Sequence, residues 1–270
     1  MSFAAPVGVA ARSSWSPCNV RRPFPKDCCI KVPKEIVHDP DPSTYDQQLL
    51  FSTGGAPTFN SPDIDTVDLW PLVPIPNLTA TVRNLSTEAS ANQTRVDVAW
   101  SPWGIGLPRT TIATSFVDLP RAGFPGAEQT LSWPTPPALL SAVLFGLFIT
   151  VIHPYDTDPY NNQGEQTLDA FQTSTGRNKT FVVPVRNPTG ATQTIQLSAG
   201  PASVAPWVNV VPSIFTLGAG AQQNVMVSVD VPPAIPPSPP GTFISATVDV
   251  LATIGGAYLG GISIAILFDA

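Results

Sequence analysis

Strict alternation of apolar and polar residues recurs along the chain from Asn77 onward. "NLTATVRN" sets Leu78, Ala80 and Val82 on one face, and "QTRVDVAW" does the same for Val96, Val98 and Trp100. Side chains two positions apart share a face of a β-strand, so both segments read as half-buried strands. Further strands are expected in "TTIATSFV" (110–117), "EQTLSW" (128–133), the run 143–152 and "EQTLDAF" (165–171). After the turn-forming "TSTGRN" (173–178) a second series begins. Phe181, Val183 and Val185 point inward, then Ile195 and Leu197, then Val225, Val227 and Val229; "TFISATVDVLA" and "GGISIAILFDA" close it. No window sustains a helical period over more than two turns. Residues 1–60 show no sustained period and read as an extended arm.

One internal echo organises the strands. Val82-Arg83-Asn84 and Val185-Arg186-Asn187 each end a strand, and each is followed by a turn of small polar residues and another alternating strand. A repeat spaced by roughly one hundred residues matches one immunoglobulin-like sandwich. Composition agrees, because 32 prolines and 19 glycines in 270 residues suit short strands and turns better than long helices. The expectation is an all-β protein: two tandem immunoglobulin-like β-sandwiches over 60–174 and 175–270, with an irregular N-terminal arm over 1–59.

Charge narrows the partners. The formal net charge is −6 and the Lys and Arg residues form no run longer than Arg21-Arg22, so the positive footprint that nucleic acid requires is missing. The most apolar run, 138–152, is short for a membrane span and reads as a buried strand with its approach. The N-terminus lacks the basic start and long apolar stretch of a secretory signal. Cys18, Cys28 and Cys29 all fall in the arm. Adjacent cysteines rarely bridge each other, so an oxidised form would join Cys18 to one of the pair; three reduced thiols are the alternative.

The richest chemistry lies in "HPYDTDPYNNQGEQTLDAF" (153–171), which holds His153, one of two histidines. His153 follows a buried strand, Pro154 stops it, and Asp and Asn suit turns, so the segment reads as a strand connection rather than a catalytic loop. No catalysis is expected, because no nucleophile or acid stands with a partner. Calcium is the ligand to consider, since hard cations take several oxygens from loops, and Asp63, Asp65, Asp156 and Asp158 are the candidate ligands. Trp100, Trp103 and Trp133 are candidates for a sugar-stacking platform, against the ordinary role of tryptophan in sandwich cores.

The region 60–172 resembles the bacterial cell-adhesion-related domains called CARDB. The resemblance rests on Pro62-Asp63-Ile64, Val82-Arg83-Asn84, "VDVAW" (96–100), "LFITVI" (147–152), "DTD" (156–158) and Asn161-Asn162, in that order. The second unit is similar to the NEW3 domains, through "VRNPTG" (185–190), "PWVNVVPSIFTLGAG" (206–220), "VMVSVDVP" (225–232) and "PPGTFISATV" (239–248). Both resemblances imply immunoglobulin-like, non-catalytic modules of larger extracellular bacterial proteins. With the apolar groups Trp15, Phe24 and "QQLLF" (47–51) in the arm, the expected role is a structural or adhesive subunit outside the cell or at its surface, joining copies of itself or other protein subunits through arm and sheet edges. The alternative is a carbohydrate-binding accessory module that takes polysaccharide beside a separately encoded enzyme.

Overall fold

Alternation turns into burial strand by strand. The computed structural model describes residues 39–65, 77–136, 145–172, 176–233 and 244–268. In chain order the first half carries β1 (Pro42–Ser43), helix α1 (Gln47–Ser52), β2 (Ile64–Asp65), β3 (Asn77–Asn84), β4 (Ala91–Pro102), β5 (Thr110–Leu119), β6 (Glu128–Pro134), β7 (Phe145–Ile152) and β8 (Gln163–Gln166). β3 pairs with β6 along one side and with the short β1 and β2 along the other, while a second sheet runs β5-β4-β7-β8. Leu78, Ala80 and Val82 share one core with Val96, Val98, Val117, Leu147, Ile149 and Val151, so the two sheets close on each other.

The second half repeats the plan. It carries β9 (Leu168–Gln172), β10 (Asn178–Arg186), β11 (Gln193–Gly200), β12 (Val208–Val211), β13 (Ile214–Leu217), β14 (Gln222–Asp230), β15 (Ile244–Ile254) and β16 (Ala257–Phe268). Its sheets run β10-β14-β12 and β13-β11-β15-β16-β9, with β9 parallel to β16. Phe181, Val183, Val185, Ile195, Leu197, Val225, Val227 and Val229 are buried together, as the alternation predicts. Each such side chain contributes about 1.5–3 kcal/mol on leaving water, which is what drives the two sheets together. Gly255 and Gly256 have φ of 57° and 84° and join β15 to β16, a conformation open chiefly to glycine in a two-residue hairpin turn.

The Val-Arg-Asn echo has a physical cause. Asn84 is buried and its Nδ2 donates to the carbonyls of Ala89, Leu119 and Pro120, while Oδ1 accepts from the Asp41 and Ser86 amides. Asn187 repeats this, donating to Ala191, Leu217 and Gly218 and accepting from Thr189. In both sandwiches one buried amide side chain donates to three loop carbonyls and ties the loop that follows its strand to a neighbouring one.

Two expectations need amending. The segment 165–171, expected as one strand, is divided at Thr167: β8 pairs with β7 of the first sandwich and β9 with β16 of the second. Thr167 is fully buried; its amide donates to Phe59 O and its carbonyl accepts from Ser263 N, so the chain passes from one sandwich into the next through a pivot bonded on both sides. Residues 39–59, read as the end of an extended arm, contain β1 and α1. Asp46 caps α1 through Leu49 N at 2.9 Å, and six residues are too few to show a helical period. Residues 1–38, with Cys18, Cys28, Cys29, Trp15 and Phe24, lie outside the described residues.

Candidate functional site

The 153–162 loop is the strand connection its residues suggested, joining β7 to β8. Nδ1 of His153 accepts from Tyr155 N at 3.3 Å, which makes Nε2 the donor to Asn92 O at 3.1 Å; both ring nitrogens hold backbone. Asp156 accepts from the Asp158 amide at 3.0 Å and from Asn162 Nδ2, shaping the turn. Asn161 Nδ2 donates to Asp41 at 2.8 Å, tying the loop to the segment before β1. Burial raises the pKa of Asp41, and the nearby charges of Asp156 and Asp158 raise it further. Asp63 instead holds Arg83 through two contacts of 2.7 and 2.5 Å and accepts from Tyr45 N, while Asp65 is exposed on β2. The four aspartates considered for calcium are therefore not gathered in one place. Among the described residues no three His, Cys, Asp or Glu side chains stand close enough to hold a metal ion.

The tryptophans considered for sugar stacking are packed inside. Trp133 is buried in the first core with Nε1 donating to Ser115 Oγ at 2.8 Å, and Trp100 lies half-buried against the same core. Trp103 belongs to the core of the second sandwich. No shared exposed face joins the three.

Three polar side chains whose pKa is raised by burial, Glu165, Asp249 and Tyr258, lie where the two sandwiches meet. Residues 103–107, between β4 and β5, reach into the second sandwich: Ile105 N donates to Pro184 O and Arg186 N to Ile105 O, both at 2.9 Å, and Ile105 is buried in the second core. Gly104 and Gly106 flank it with φ of 146° and 69°; a Cβ on Gly104 would lie 2.6 Å from Pro184 O, so the backbones approach this closely only through glycine. Beside this contact Glu165 is buried and accepts from Tyr258 Oη at 3.0 Å and Thr167 Oγ1 at 3.1 Å. Burial raises its pKa, and the Arg109 guanidinium, which rests over the Phe148 ring at 3.8 Å, acts against that shift. Gln47 of α1 pairs with the Glu165 backbone like an added strand residue, its Oε1 accepting from Glu165 N at 3.1 Å and its Nε2 donating to Glu165 O at 2.5 Å.

A second cluster completes the seam. Asp249 accepts from Thr58 Oγ1 and Phe59 N, each at 3.1 Å, and from Ser263 Oγ. Burial raises its pKa while these donors oppose the shift. Phe59 is fully buried and nearly parallel to Tyr258, with ring centroids 6.3 Å apart. Gln166 accepts from Ser61 N and donates to Asn60 Oδ1 at 2.9 Å. The described residues accordingly belong to one compact unit. Beside Gln47, Arg109, Glu165 and Tyr258 a cavity of about 10 Å³ opens, room for about one water and not for a substrate. The buried carboxylates thus serve an internal joint. Sequence reasoning passed over it, although the glycines flanking Ile105 were the available signal of a close backbone approach.

No family model matches the chain, and no curated protein sequence is similar to it. Among solved structures it is similar to SSP-19, an MSP-domain protein like family member of Caenorhabditis elegans, at 8% identity, 34% of this chain, 88% of that chain and a TM-score of 0.23. It is also similar to E. coli alpha-2-macroglobulin, at 9% identity over 70% of this chain and 16% of that one, with a TM-score of 0.22. A protein of unknown function from Porphyromonas gingivalis W83 shares 13% identity over 72% of this chain and 92% of its own, with a TM-score of 0.26. At these scores none assigns a family or an activity. The all-β architecture stands on the strand pairing itself, and among the described residues no helix is long and apolar enough to cross a membrane.

Proposed function

We propose that this chain is a non-enzymatic structural subunit: two immunoglobulin-like sandwiches locked into one block, self-assembling outside the cell or at its surface through sheet edges. The observation that carries the reading is β6. Its seven residues pair with β3 in unbroken register along one side, and no described strand pairs with it along the other. Such an edge presents a row of backbone donors and acceptors to an incoming strand. The internal seam supports the same reading, because a rigid two-sandwich block transmits the geometry of one contact to the next. The CARDB and NEW3 resemblances supply the immunoglobulin-like assignment and the extracellular setting.

The test is the solution mass of the full chain beside that of a Thr130→Lys/Ser132→Lys variant. Both residues are exposed on β6, and lysine at an edge opposes strand addition. The reading expects wild-type mass above the 28.5 kDa of one chain and a lower mass for the folded variant. A variant that assembles like wild type removes β6 from the contact; a wild type that stays monomeric at every concentration overturns the reading.

A further inference from the structure

We infer that the outer face of the β10-β14-β12 sheet is a contact surface for a second copy of this chain. Register places Val182 of β10 opposite Met226 of β14, and Met226 opposite Val211 of β12. The three make one continuous apolar row across the sheet, and they are 49, 43 and 53% exposed. Apart from Pro184, the other outward-facing residues of these strands are polar or charged, so the row is the apolar centre of the face. Its flank toward Asp230 is polar, with Thr180, Ser228 and Asn209 side by side and the first two hydroxyls 2.8 Å apart.

Charge selects the occupant. By alternation, the outward-facing residues of these strands include two charged ones, Arg186 and Asp230. Asp230 lies four positions beyond Met226 on β14, and Arg186 stands opposite Gln222, four positions before it. The two charges therefore sit on opposite sides of the apolar row, each at about 13 Å along the strands. A two-fold axis lying along the row superposes row on row and reverses the strands. Asp230 of each copy then lies over the partner copy's Gln222 position, beside its Arg186, giving two opposite-charge contacts per pair. Stacking about a two-fold axis along β14, without strand reversal, would set Asp230 on Asp230. The face is complementary to itself, so a second copy fits it, with sheets about 10 Å apart as in any sandwich.

This inference rests on the self-assembly reading and adds a second surface to β6. The test is light scattering of the full chain across a dilution series, with Met226→Lys, Asp230→Arg, Arg186→Asp and the double exchange Asp230→Arg/Arg186→Asp. Met226→Lys is expected to weaken association by about a hundredfold or more, since it places a charge at the centre of the row. Each single reversal is expected to weaken it about tenfold, and the double exchange to recover it, because opposite charges face each other again. Recovery distinguishes a contact from mere damage to the fold, and it stands even if the lysine variant folds poorly. If all four variants associate like wild type, this surface is not the contact while assembly through an edge survives. If wild type is monomeric throughout, the assembly reading fails and this inference with it. Association lost in both single reversals and not regained in the double exchange refutes the two-fold arrangement.

Discussion

Removing the Phe59 ring probes the joint between the sandwiches at its most enclosed point. The ring is fully buried, stacks near Tyr258 and covers Gly261 so closely that a Cβ there would overlap two ring carbons and approach Val250 O to 2.6 Å. Phe59→Ala deletes the ring and leaves a cavity the rigid strands fill only partly, a loss of about 3–5 kcal/mol. Gly261→Ala has the opposite fault, overpacking, with a cost of about 1–3 kcal/mol. The two faults are coupled. Once the ring is gone the new methyl occupies its space, and only the Val250 carbonyl still resists. The double variant should therefore be more stable than the sum of the single effects predicts, by about 1 kcal/mol or more. Urea unfolding of the four proteins, followed by tryptophan fluorescence and far-UV circular dichroism, supplies the cycle. Additivity within about 0.5 kcal/mol would refute the packing argument, as would a negligible effect of Phe59→Ala.

Other outcomes follow from the buried polar groups. Burial raises the Glu165 pKa above its ordinary 4.5, so the folded chain keeps that proton to higher pH than the unfolded chain does. Its contribution to stability is complete below pH 4.5 and is lost as pH rises through the folded value; Glu165→Gln should flatten that fall in urea midpoints as pH rises above 4.5, and parallel profiles would contradict it. Asn187→Ala removes the buried donor that joins the carbonyls of Ala191, Leu217 and Gly218 and should cost about 1–3 kcal/mol by urea unfolding, with a loss under about 0.5 kcal/mol counting against the capping role. Gly106→Ala places a Cβ against Arg186 O at a positive φ and should lower the thermal midpoint, whereas an unchanged midpoint would show that Ile105 is not held there by the backbone.

The cores were legible because period-two alternation is a local property: Leu78, Ala80 and Val82 and their counterparts in the second half all bury as the pattern predicts. The Val-Arg-Asn echo was legible as a repeat, though its cause, the Asn side chain closing three loop carbonyls, needed the fold. The joint was hidden for a different reason. Glu165 meets Tyr258, and Thr58 meets Asp249, across long stretches of chain, and neither pair leaves a periodic mark. Thr167, within an apparently continuous strand, carries no local sign that it is the pivot. The aspartates looked like ligands in one dimension. In three, Asp63 holds Arg83 while Asp156 shapes its own turn. Rows such as Val182-Met226-Val211 are likewise a product of register, which alternation alone does not fix.

The claim that this is a self-assembling structural block is tested most directly by the mass of the unmodified full chain in solution, measured by light scattering from dilute to concentrated samples. The account predicts a mass that rises with concentration above the 28.5 kDa of one chain toward multiples of it. A constant 28.5 kDa across the whole range would contradict it.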